Sequence, residues 1–168
     1  MAVTARQLWL ILHIGLAALF LHSFAAGLFS LSFGGRLRGL APRSCLMAAA
    51  AWLSVITGTY VVYPWYRAQP AAGADLALYP QAYLEAHPEL SRWHLFGMEW
   101  KEHVGWLAPF LATAVAYVAV RYGRQLAREG RIRRALLVLF TIAFFSALAS
   151  GVIGVFLNKV APNAFLAA

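Results

Sequence analysis

Four apolar runs leave this chain few ways to fold. They cover residues 7–33, 44–63, 97–122 and 135–157, each about as long as the 20 or so helical residues that cross a bilayer's hydrocarbon core. Composition points the same way. Of 168 residues, 62% are hydrophobic and only 12% charged, whereas an average soluble domain is about a quarter charged. The sequence therefore predicts an all-α, integral membrane four-helix bundle, a single transmembrane domain over residues 1–168, with a long link over 64–96. Arg6, the apolar run behind it and Ala25-Ala26 also suit a cleavable signal. We read this segment as a retained spanning helix.

The net charge of +8 sits in short clusters between the apolar runs. The link between helices one and two holds Arg36, Arg38 and Arg43. The link between helices three and four holds Arg121, Arg124, Arg128, Arg131, Arg133 and Arg134, against Glu129 alone. The positive-inside rule puts both links in the cytoplasm and both termini, with the 64–96 link, outside. On that outer side Arg6, Arg67, Arg92, Lys101 and Lys159 balance Asp75, Glu85, Glu89, Glu99 and Glu102. The expected location is a bacterial inner membrane. The basic links suit anionic lipid headgroups. Nucleic acid is not an expected partner, because the links are short and lack interleaved aromatic residues. One cysteine, Cys45, excludes an internal disulfide and a thiolate zinc site. There is no CxxCH motif for covalent haem attachment.

Trp9, Trp65, Trp93, Trp100 and Trp106 all fall at the expected outer boundary, the depth that amphipathic rings favour. Pro80 predicts the start of a short surface helix through Glu85, which His87-Pro88 would close. Ser23 and Gly27, then Ala50, Ser54 and Gly58, then Ser146, Ser150 and Gly154 repeat at four-residue spacing. Small residues so spaced let helices approach closely in lipid.

Chemistry gathers in Ser91–Trp106, SRWHLFGMEWKEHVGW, read as the entrance to helix three. At 100° per residue Glu99, Glu102, His103, Trp106, Phe110, Thr113 and Tyr117 share one face, expected to look into the bundle. Lys101 falls opposite, and is expected to snorkel to the surface. His13 lies at a depth matching His103. Two histidines at one depth on different helices suit a bis-histidine haem b, with His13 and His103 on the iron. The same groups suit a metal ion held by His13, His103 and Glu99. They also suit a quinone site, with His103, Glu99 and Glu102 as proton groups and Trp106 among the rings that hold it. The plain alternative is a solvated helix start with interfacial hydrogen bonds.

His22 sits near mid-membrane on the far side of helix one. It is expected to bond to a neighbouring helix or to serve as a lone axial ligand. His94 and Met98, four apart, are expected at the outer surface. The sequence has no P-loop, dinucleotide fingerprint or serine triad. A polar path for metal transport has only Thr113, Tyr117, Thr141, Ser146 and Ser150 to build on, which is too sparse. The leading expectation is a membrane subunit of a redox complex that binds haem b or contacts quinone near the outer face. A cofactor-free accessory subunit of a larger membrane complex is the rival.

Overall fold

The computed structural model describes residues 4–33, 37, 39–126 and 128–161. Arg36 and Arg38, which contributed to the charge argument, lie outside the described residues. Every regular element among the described residues is helical. Four helices are long and apolar enough to cross a membrane: α1 (Ala5–Ser32), α2 (Leu40–Tyr66), α4 (Pro88–Leu126) and α5 (Gly130–Lys159). A short helix, α3 (Pro80–Ala86), precedes α4. The chain is an integral membrane four-helix bundle.

The helices pack as a ring. α1 lies on α2, α2 on α4, α4 on α5, and α5 closes back onto α1. Contacts at both ends make neighbours antiparallel. Arg43, early in α2, donates to Ser30 Oγ late in α1 at 2.9 Å. Ser146 Oγ, in the second half of α5, donates to the Val104 carbonyl of α4 at 2.6 Å. With no hydrophobic drive between helices inside lipid, close packing must hold them. It does so around Phe24, whose ring stacks on Phe144 at 4.2 Å and tilts against Phe140 at 5.4 Å. Phe140 fills the space over Gly27, where a β-carbon would come within 2.7 Å of the ring.

Three differences from expectation bear on the site. α4 begins at Pro88 rather than Gly97, so Ser91–Trp106 is helix throughout, tightened to a 3₁₀ turn at Val104–Trp106. Charged residues interrupt the hydropathy there, but not the helix, because proline suits the first helical position. At 39 residues, α4 is about 58 Å long, against a hydrocarbon core of about 30 Å. Part of it must extend beyond the core, and its charged first turns, which pack against α3, suit that position. The expected link over 64–96 therefore shrinks to residues 67–79, α3 and His87. The expected surface helix exists: Pro80 opens α3, and His87 both ends it and precedes α4.

The third difference lies in α2, where Gly58–Val62 is a π-helical turn. Pro64 explains it. Proline cannot donate to the carbonyl four residues back, and its ring clashes with that carbonyl in a regular helix. Widening the preceding turn relieves the clash and lets α2 run on to Tyr66.

Candidate functional site

The polar groups collect at one end of the bundle, where α1 starts, α2 ends, and α3 with the 67–79 link forms a cap. We call this the capped end.

His13 reaches from α1 onto the π turn of α2. Its Nδ1 is 3.2 Å from Thr57 Oγ1. That hydroxyl is 2.8 Å from the Leu53 carbonyl and 3.1 Å from the Ser54 carbonyl. The Thr57 proton is thus committed to the backbone, and Nδ1–H must be the donor to its oxygen. The imidazole sits on Gly58, where a β-carbon would be 2.9 Å from its Cε1.

Lys101 approaches from α4. Its Nζ lies 3.0 Å from where a Gly154 β-carbon would sit. Among the described residues no hydrogen bond or ion pair engages this ammonium. The expectation that Lys101 snorkels outward is corrected. The expected inward face of α4 is corrected with it, since Glu99, Glu102 and His103 are exposed, as are Phe110 and Tyr117. The buried face carries Gly97, Gly105, Ala108, Ala112, Ala116 and Ala119 instead. Small side chains, rather than polar ones, decide which face meets the neighbouring helices. That stripe was a readable signal.

His103 is therefore turned away from His13. Its side chain is 71% exposed. Its Nδ1–H donates to the Glu99 carbonyl at 3.0 Å and lies 3.4 Å from Glu99 Oε2. Among the described residues its Nε2 has no hydrogen-bond partner. The chain does not bring His13, His103 and Glu99 together, and no group of three His, Cys, Asp or Glu gathers for a metal ion among the described residues. Glu102 accepts from the Tyr63 hydroxyl at 2.7 Å. Trp106 is half-buried, edge-on to Trp52 at 6.3 Å. His22 is exposed midway along α1, where no hydrogen bond from a neighbouring helix reaches it among the described residues.

A second cluster was expected only as surface. Tyr66, 4% exposed, sits 2.6 Å from His94 Nδ1 through its hydroxyl. His94 Nε2 lies 3.5 Å from Glu85 Oε1. With a carboxylate beyond Nε2 the proton belongs on that nitrogen, so Nδ1 accepts from Tyr66. The result is a chain from buried tyrosine to exposed carboxylate across α2, α4 and α3. Met98 packs beside it, against Tyr66, Leu84 and Leu157. No local pattern announces this group, because Tyr66 and His94 are 28 residues apart.

These features define a class: a multi-pass helical membrane protein with hydrogen-bonded tyrosine, histidine and carboxylate side chains at its capped end. Compared with protein-family models, with curated proteins and with solved structures, the chain matches none.

Proposed function

We propose that this protein is a membrane subunit of a redox complex that holds a quinone head beside His13 and Lys101 at the capped end. One observation carries the reading: His13, seated on the widened turn of α2, and Lys101, packed against Gly154 of α5 with no ion pair among the described residues, both lie toward the capped end of the bundle. Ionisable groups inside a membrane bundle usually mark a functional path. A quinone offers carbonyl oxygens that an ammonium can donate to. Its reduced form offers hydroxyls whose protons a neutral imidazole can accept. Oxidising such a quinol releases two protons and two electrons. The protons leave by the capped end, where Tyr63–Glu102 and Tyr66–His94–Glu85 reach toward water. The electrons pass to a redox centre in a partner subunit.

The arginine-rich links support an orientation with the capped end and both termini outside, in a bacterial inner membrane. Haem b is the second reading. His103 favours it, since an imidazole with Nδ1–H tied to a carbonyl presents Nε2 to a metal. The iron would then sit at a subunit interface, with its other axial ligand from a partner.

The test is binding of a short-chain ubiquinone analogue to the purified chain in lipid nanodiscs. Wild type should bind it, and His13→Ala and Lys101→Met should each weaken binding by about tenfold, the scale of a lost hydrogen bond to a charged or ionisable group. Unchanged binding in both variants rules out this site. A reduced-minus-oxidised visible spectrum of protein expressed with added haem tests the second reading through His103→Ala. A colourless protein that binds no quinone is the cofactor-free accessory subunit.

A further inference from the structure

The opposite end of the bundle holds a groove of about 450 Å³ between the start of α2 and the end of α4. Gly39 and Ala41 form one wall, and Val120, Arg121, Arg124 and Gln125 form the other. We propose that this groove binds the headgroup of an anionic phospholipid, independently of any quinone at the capped end.

Charge is the first ground. Neither Arg121 nor Arg124 is in an ion pair among the described residues. Arg121 lies over the Tyr122 ring, 5.5 Å from its centre, which leaves its charge uncompensated. A third guanidinium flanks the groove, since Arg43 lies 3.6 Å from where a Gly39 β-carbon would be. In the sequence the only acid near this end is Glu129. Three guanidinium groups around one concavity call for an anion, and guanidinium forks match phosphate oxygens in geometry.

Shape and position are the second ground, and they select a lipid. The volume is in the range of small-molecule clefts. Part of the lining is apolar: Ala41 on one wall, and Ala119 and Val120 on the other, with Val120 62% exposed on the helix surface. Arg121 follows directly, in the last turns of a spanning helix. A phosphate held at Arg121 and Arg124 would therefore place its acyl chains along the apolar flank of α4. Free phosphate has no use for that flank. The start of α2 adds a helix N-terminus with no side-chain cap, capped at Gly39 in a left-handed conformation (φ 92°). This supports the anion but does not by itself make the site.

The experiment is native mass spectrometry of the detergent-purified full chain with dioleoyl phosphatidylglycerol or dioleoyl phosphatidylcholine, which share acyl chains. Wild type should retain phosphatidylglycerol preferentially, and R121Q/R124Q should reduce that retention by about tenfold or more. R133Q/R134Q removes equal charge from α5 outside the groove and should leave the preference intact. Circular dichroism shows whether each variant keeps its helices. An equal loss in R133Q/R134Q means a diffuse basic surface and overturns the proposal. So does retention in R121Q/R124Q equal to wild type. Displacement of phosphatidylglycerol by millimolar inorganic phosphate would assign the groove to the free anion and overturn the lipid assignment.

Discussion

At the scale of single residues, three glycines each carry a different side chain, and this ranks their substitutions. A β-carbon at Gly27 would meet the Phe140 ring at 2.7 and 2.9 Å, and Phe140 is fully buried with nowhere to go. At Gly58 it would meet His13 Cε1 at 2.9 Å, and the imidazole can swing only by breaking its bond to Thr57. At Gly154 it would meet Lys101 Nζ at 3.0 Å, the far end of a flexible chain. Overpacking costs about 1–3 kcal/mol, so Gly27→Ala should lower the unfolding midpoint most, Gly58→Ala less, and Gly154→Ala least. Thermal unfolding in one detergent gives the order, and a Gly154→Ala penalty equal to that of Gly27→Ala would refute it. Tyr66→Phe is a separate case. It removes the donor to a half-buried His94 Nδ1 and should cost about 1–2 kcal/mol, measurable in the same assay. His13 was singled out from the sequence by depth and chemistry, and it does lie in the bundle. The choice of His103 as its partner went wrong because one helix turn contains both an inward and an outward face. Only the glycines and alanines between Gly97 and Ala119 say which is which.

At the scale of elements, the π turn of α2 sets register between two halves of one helix. Below it, Thr57 meets His13; above it, Tyr63 meets Glu102 and Tyr66 meets His94. A π turn holds one more residue than an α turn, so removing one residue inside it should close the bulge while both halves keep their partners. Deleting Val61 together with Pro64→Ala, which restores a backbone donor, should leave the bundle folded. Deleting Ile56 instead rotates Leu40–Val55 by about 100° against the rest of α2 and should abolish folding or nearly so. Helical circular dichroism and the unfolding midpoint of the two deletions decide this, and equal damage from both would end the register argument. Pro64 was visible in the sequence, but it was read as the start of a link. Hydropathy falls at Pro64, and nothing local shows that α2 continues through it. The start of α4 was missed for a related reason. Glu89 and Arg92 look like a solvated loop by hydropathy, yet a helix standing clear of the lipid core can carry them freely.

At the scale of the whole molecule, the two ends differ in chemistry, and that difference should fix how the chain sits in its membrane. The arginine-rich end carries Arg43, Arg121, Arg124, Arg128, Arg131, Arg133 and Arg134 against Glu129. The capped end mixes both signs and ties several of its polar groups to one another. Translocating unopposed arginines is far costlier for insertion than translocating a balanced, neutral-on-average cap, so the cap should cross and the arginines stay inside. The four spans were legible in the sequence because length and hydropathy suffice to find them. The ring order and the cap's hydrogen-bonded chain were not, since both depend on contacts between residues far apart. Cysteine labelling tests the orientation directly. In a Cys45→Ser background, Ala71→Cys on the exposed 67–79 link should react with a membrane-impermeant maleimide in intact cells whose outer envelope admits the reagent. Gln125→Cys, exposed at the end of α4, should react only after the inner membrane is opened. The reverse pattern would put the arginines outside. It would also turn the proton groups of the capped end toward the cytoplasm, so that a quinol oxidised there would release its protons inward. A single labelling experiment therefore decides the direction in which the proposed chemistry could contribute to a proton gradient.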